Sequence, residues 1–299
     1  MEISRDVRIV FSDLDGTLVH YPQELRRYSF VEELEDGKFL VRYKDSGEER
    51  ICLALPSTTR GYSLISLETC QRIKEIRDKG MHFVYISGAR TVTFERRRSF
   101  LPLVDFEVFE NGGVITQQGK VDLEWQQNIF NFIGSKYSLQ TPVEERQGSL
   151  WDVYRLLSQK GFTLDVNGYL TQFRVRVPES NTRLAEEWSH LEPEIQQKMN
   201  VQVVSNLNLL DVIPSVSGKE NAAKYILTKL QLDPSHAVFL MDDDNDLKLA
   251  HECGQVVVVN ISHPKVLEQL KSDGSKWHRV QKQGVLASEE ALDYILRQL

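Results

Sequence analysis

Two aspartates two residues apart, Asp13 and Asp15, close a short apolar run, VRIVFS at 7–12. In extended chain that spacing turns both carboxylates to one side. Gly16 lets the backbone turn sharply after them, and Thr17 can cap the next segment. Neighbouring carboxylates repel, so a metal ion is a natural neutraliser and their proton affinities can be driven apart. One ionised and one protonated carboxyl make a nucleophile and a general acid. An Asx turn at a strand end uses the same residues and involves no chemistry.

A second acidic group lies far away in sequence. Asp242-Asp243-Asp244-Asn245-Asp246 comes directly after the apolar run AVFLM at 237–241. Four carboxylates in five residues are costly unless a cation or a helix N-terminus compensates. Hard oxygen ligands of this kind favour magnesium over zinc or copper. An acidic cap on a solvated helix is the plainer alternative. Ser87-Gly88 succeeds the apolar run HFVYI at 82–86 and offers a hydroxyl and a backbone N–H at a helix start. A phosphate oxygen suits that place, as does a simple helix cap. Lys219 sits in the first turn of its helix, where the dipole disfavours a cation, so an anionic partner is expected beside it.

The elements that must carry these residues read as alternating strands and helices. Buried strands are expected at 7–12, 82–87, 209–213, 237–241 and 255–259. Helices are expected at 66–79, capped by Ser66 and ended by Gly80, and from about 91, 217, 264 and 286. Such alternation implies a parallel sheet covered on both faces, with ligands beyond the carboxyl ends of its strands. Residues 38–44 and 49–55 alternate around Asp45-Ser46-Gly47, a hairpin signal and a candidate flap (38–55). From 117 to 208 the pattern changes. Helices near 142–160 and 181–197 interleave with strands near 162–166, 169–177 and 201–205. The alternation in QFRVRV sends Arg174 and Arg176 to the polar face of a one-sided sheet. The expected fold class is therefore α/β: a Rossmann-like parallel-sheet core formed by 1–116 and 209–299, with a smaller α+β cap, 117–208, inserted.

Bulk properties narrow the function. With 299 residues, 41% of them hydrophobic, the chain can bury one or two cores. A net charge of −7 argues against a general nucleic-acid binder, and no apolar run reaches the ~20 residues of a membrane span. Cys52, Cys70 and Cys253 have no spacing that suggests a disulfide framework or a zinc site. No signal peptide is visible, so a cytoplasmic protein is expected.

FSDLDGTL, YISG, SGKENA and FLMDDDND, in this order, resemble the motifs of the haloacid dehalogenase (HAD) superfamily of phosphatases. The insert between Ser87 and Lys219 has the position and size of the large cap of its Cof-like and sucrose-phosphatase-like branch. ENGG (110–113), NISHPKV (260–266) and GVL (284–286) are similar to further segments of that branch. The resemblance implies Asp13 as a nucleophile that forms an aspartyl-phosphate, and Asp15 as general acid and then base. It implies magnesium held by Asp13, the Asp15 backbone carbonyl and Asp242, with Asp246 steadying the metal-bound water or Lys219. Ser87, Gly88, Lys219 and Asn245 would hold the phosphoryl group. Two positions depart from the pattern: Met241 stands where relatives often have Gly, and Arg90 comes one residue later than their arginine.

The expected function is hydrolysis of a small phosphorylated metabolite such as a sugar phosphate, with Arg174 and Arg176 as candidate specificity residues of the cap. A sugar phosphomutase on the same core, or a non-catalytic binding protein, are the alternatives. The second usually lacks a nucleophile or a metal ligand, and both are present here.

Overall fold

The N-terminal strand lies in the middle of the main sheet. In a computed structural model that describes residues 6–58, 60–134, 136–177, 182–206, 209–272 and 276–299, β1 (Ile9–Ser12) is flanked by β14 (Ala237–Met241) and β6 (His82–Ile86). Outside β14 come β15 (Gln255–Val258) and β16 (Trp277–Arg279); outside β6 come β7 (Phe106–Phe109), β8 (Val114–Gln117) and β9 (Lys120–Val121). Pairing is parallel from β16 across to β7, and antiparallel only at β8 and β9. The four residues of β1 are all buried, as a strand covered on both faces requires. Helices between the strands supply that cover. In the helix Leu67–Asp78 the Ser66 hydroxyl accepts from the Thr69 N–H, the expected cap, and Ile73 and Ile76 face the core. The core is thus a Rossmann-like α/β layer structure, as its sequence pattern implies.

The segment 22–62 holds more than a hairpin. β3 (Lys38–Tyr43) and β4 (Glu49–Ser57) form the expected pair, and β2 (Ser29–Glu33) and β5 (Gly61–Ser66) add an outer strand on each side. One face of this antiparallel sheet, with Phe39, Val41, Tyr43, Cys52 and Leu64, packs on Leu25, Val285 and Leu286. The other face packs on the main core through Leu55 and Ile65 of β4 and β5 but is solvated at β2, where Phe30 stays 63% exposed. β2 is hard to read from sequence because its only buried position is Ser29.

The cap is built on a second antiparallel sheet of β10 (Thr163–Asp165), β11 (Phe173–Arg176), β13 (Leu209–Pro214) and β12 (Val201–Asn206), in that order. Here the structure corrects the sequence expectation. The apolar run 209–213, expected as a core strand, pairs with β11 and β12 and belongs to the cap sheet. An apolar run announces burial but does not say in which sheet. The helix expected at 142–160 begins only at Ser149, because Gly148 takes φ +105° and lies against the Ile133 carbonyl, where a Cβ would collide. The helix Leu123–Ile133 lies where the sequence pattern suggests no element. Asp122 caps it, and Trp125, Ile129, Phe130 and Ile133 form its buried stripe.

Candidate active site

The carboxyl ends of β1 and β14 lie side by side, so Asp13 and Asp242 meet although most of the chain separates them. Leu240 accepts the Asp13 N–H at 3.0 Å, and the Thr17 hydroxyl donates to Asp242 Oδ1 at 2.9 Å. Ser262 donates to Asp242 Oδ2 at 2.6 Å. Gly16, at φ +93°, turns the chain away from β1; any Cβ there would strike the Asp242 carboxylate.

Lys219 and Asp246 complete this group. The Lys219 ammonium donates to Asp13 Oδ1 and Asp246 Oδ1, both at 2.6 Å, and is only 3% exposed. The anionic partner expected from its place in the helix is therefore two carboxylates. Asp13, Asp242 and Asp246 each bring an oxygen within 4.8 Å of the others, and all three are buried. With all three ionised, one ammonium would leave two negative charges uncompensated, and Asp246 Oδ2 is buried with no hydrogen-bond partner among the described residues. Burial, Lys219 and the neighbouring acids set the proton affinities. Asp13 is pushed up to about 7, chiefly by burial, with Lys219 opposing. Asp242 is driven well above the carboxylate range by burial and by Asp13. These residues fit a bound dication of the magnesium type, which cancels that charge with hard oxygen ligands. Asp246, expected behind the ligands, is one of the three converging carboxylates.

Asp15 points into a different environment. Nη1 of Arg97 donates to both its oxygens at 2.9 Å, and the Tyr21 hydroxyl donates to Oδ1 at 2.8 Å. Burial would raise its proton affinity, but the charge and hydrogen bonds of Arg97, with help from Tyr21, outweigh it and hold Asp15 below the usual range. The environment therefore divides the two aspartates, as their spacing suggests: burial raises Asp13, and Arg97 with Tyr21 lowers Asp15.

A cavity of about 500 Å³ opens over this group, lined by Asp13, Asp15, Ser87, Gly88, Asp242 and Asn245 among others. Ser87 is buried, with its hydroxyl accepting from the Ala89 N–H at 3.1 Å. Of the two cap arginines, Arg174 lines the cavity and forms a two-pronged ion pair with Asp211, at 2.7 and 3.0 Å. Arg176 is exposed at the end of β11, opposite Thr163, and is not among the lining residues. It shares a face with Arg174 but lies past the cavity, so the structure does not bring it to the site.

Several residues that the fold brings here escape sequence reasoning. Arg97 sits in the run Arg96-Arg97-Arg98, which looks solvated, yet Arg97 is 1% exposed. Its place one turn after Phe94 on the buried stripe of Thr91–Arg97 is the only signal. Arg90 pairs with Asp165 of the cap at 2.6 Å and lies 4.6 Å from the Tyr169 ring centre. Glu110 and Asn111 of ENGG tie core to cap. Buried Glu110 accepts from the backbone and hydroxyl of Thr91 and Thr171 and from the Leu170 N–H. Asn111 donates to Gln172 and Asp211 at 3.0 and 3.2 Å.

Known proteins share this architecture. A family model described as sucrose-6F-phosphate phosphohydrolase matches residues 155–296. A HAD-like hydrolase of Nitrosococcus oceani is 22% identical over 231 residues, covering 70% of this chain; the match spans only 57% of that relative's length. The sucrose-phosphatase of Synechocystis sp., solved with sucrose and phosphate, superposes at a TM-score of 0.63, with 17% identity over 98% of each chain. A HAD-superfamily phosphatase of Bacteroides thetaiotaomicron does so at 0.59, with 13% identity over 99% of this chain and 96% of that one. The fold is the one these HAD-type phosphatase structures have. Residues 155–296 are thus similar to the sucrose-phosphatase-like family, and the chain as a whole is similar to HAD-type phosphatases in fold.

Proposed function

We propose that the protein is a magnesium-dependent phosphomonoester hydrolase that acts on a small phosphorylated metabolite through an aspartyl-phosphate. The observation that carries this reading is the buried group of Asp13, Asp242, Asp246 and Lys219 at the floor of an open polar cavity. Asp13, Asp242 and the Asp15 backbone carbonyl are the proposed metal holders, with Asp246 beside them. Bound magnesium would neutralise these carboxylates and the phosphate oxygens.

The chain's own residues divide the rest. Asp13 attacks phosphorus, and Lys219 orients its carboxylate and balances charge on the phosphoryl oxygens. Ser87, the Gly88 N–H and Asn245 hold those oxygens in line for displacement. Asp15 gives a proton to the leaving oxygen, then takes one from the water that hydrolyses the intermediate. As held by Arg97 and Tyr21, Asp15 is ionised, the form needed for the second step. The first step needs its proton, which the negative charge of an incoming ester favours.

Purified protein with magnesium and p-nitrophenyl phosphate tests the reading. Steady phosphate release without a bisphosphate activator, abolished by a chelator, supports it and separates it from a mutase. Unchanged release in metal-free buffer, or none at all with magnesium, overturns it.

A further inference from the structure

The sheet inserted at 29–66 forms a third wall of the cavity, apart from core and cap. The segment leading into it brings Tyr21, Glu24 and Arg27, and the β4–β5 turn brings Thr58 and Arg60. This wall is fastened to the catalytic floor. Nε of Arg97 donates to the Pro56 carbonyl at 2.9 Å, Thr58 and Thr93 share a hydroxyl hydrogen bond of 2.7 Å, and Tyr21 reaches Asp15. It is therefore placed against the leaving-group side of the site, where Asp15 stands.

The charges of this wall are unbalanced. Arg174, Arg90 and Arg97 each have a carboxylate partner, in Asp211, Asp165 and Asp15. Arg60 spends only Nη1 on Glu24, at 2.9 Å, with its guanidinium carbon 4.5 Å from the Tyr21 ring centre. Its Nε and Nη2 have no partner among the described residues, and neither does the guanidinium of Arg27. Two arginines against one carboxylate leave one positive charge facing the cavity. The open Nε–Nη2 edge is the fork that takes a carboxylate or phosphate through two parallel hydrogen bonds. The Tyr21 ring beneath it holds the guanidinium plane by cation–π attraction.

We propose that this wall is a leaving-group subsite, in which Arg60 and Arg27 select phosphate esters carrying a second anionic group, a carboxylate or another phosphate. The inference rests on the phosphatase reading and adds a substrate class to it. Because Tyr21 touches both the Arg60 guanidinium and Asp15, an anion bound there also fixes the ring whose hydroxyl holds the proton-transferring carboxylate.

Matched ester pairs test this. The wild-type protein is assayed with glycerol 3-phosphate against 3-phosphoglycerate, glucose 6-phosphate against 6-phosphogluconate, and fructose 6-phosphate against fructose 1,6-bisphosphate. The acidic member should have the higher kcat/KM, by about tenfold or more in at least one pair, and the preferred pair tells carboxylate from phosphate. Arg60→Gln, and Arg27→Gln separately, should shrink that ratio several-fold, mainly through KM. Equal or better turnover of the neutral member in all three pairs overturns the proposal, as does an unchanged ratio in both variants. Failure of the phosphatase reading looks different: neither these esters nor p-nitrophenyl phosphate then release phosphate.

Discussion

Arg97 holds both carboxylate oxygens of Asp15 at 2.9 Å through one guanidinium nitrogen, across 82 residues of sequence. Only 1% of the arginine is exposed, while the Asp15 side chain keeps 18% of its surface open toward the cavity. The carboxylate assigned to proton transfer is therefore positioned by a residue of the helix Thr91–Arg97, while the assigned nucleophile is positioned by Lys219.

That pairing predicts a pH signature. In Arg97→Met, Asp15 loses its main counter-charge and its proton affinity rises. The acidic limb of the rate profile, where ionised Asp15 is needed to take a proton from water, should move to higher pH. Turnover near neutrality should fall roughly 10–100-fold. Arg97→Lys should restore part of both. A uniform drop with an unmoved limb would show that Arg97 acts on folding alone.

Asp13→Asn and Asp15→Asn should fail differently. The first should form no covalent intermediate, because an amide oxygen is a poor nucleophile. The second keeps the nucleophile and loses proton transfer, worth roughly 10²–10⁴-fold. With a nitrophenyl leaving group it should accumulate the phosphorylated protein, seen as a phosphate-sized mass increase after rapid quenching. Label on the Asp13→Asn protein instead would exchange the two roles.

Removing one of the converging carboxylates should weaken metal activation. Asp242→Ala leaves two carboxylates around Lys219, and the magnesium concentration for half-activation should rise roughly tenfold or more. Circular dichroism should show the fold retained. An unchanged magnesium requirement would remove Asp242 from the site.

Acid should destabilise the protein partly through His20. It is buried, and its Nε2 lies 2.8 Å from the Ser288 hydroxyl, which itself donates to the Thr17 carbonyl. Nε2 is therefore the donor in this pair. Burial lowers its pKa from 6.5 to about 4. Between those values the unfolded chain binds a proton that the folded chain does not, so stability falls as pH drops below about 6.5. Down to pH 4 the loss should reach about 3 kcal/mol. Urea titrations at pH 7 and 4.5 should show it, and His20→Gln should reduce the difference. An equal acid effect in the variant would assign it to other groups.

Glu110 should matter for the junction of core and cap. It accepts from five donors, two backbone N–H groups and a hydroxyl of the cap and the N–H and hydroxyl of Thr91. Glu110→Gln puts an amide N–H₂ where only acceptors fit, and should cost about 2–3 kcal/mol in urea unfolding. A change within error would mean the donors find other acceptors.

The chemistry-bearing positions are legible in the sequence because each ends an apolar run. Asp13, Ser87 and Asp242 stop β1, β6 and β14, and a parallel sheet delivers such ends to one edge. Arg97 is hard to read, since among three consecutive arginines only its place one turn after Phe94 marks it as the one that turns inward. Arg176 is overread for the complementary reason: alternation fixes the face of a strand but not where along it the cavity ends. β13 falls to the wrong sheet in a sequence reading because Leu209–Pro214 is apolar enough for either. The inserted sheet shows only its central hairpin, where a turn signal and clean alternation coincide.

The central place of β1 has a consequence for how the protein is made. Its two neighbours are β6, which comes soon after it in the chain, and β14, which ends at Met241. During synthesis the first strand can pair along one edge early, but the other edge stays open until most of the chain has emerged. At ribosomal rates that interval is on the order of tens of seconds. Throughout it Asp13 lacks Lys219, Asp242 and Asp246, and the apolar edge of β1 is available to any strand that reaches it first. The nascent chain is therefore a natural client for chaperones that shield strand edges, and late truncations should aggregate rather than leave a partly active enzyme.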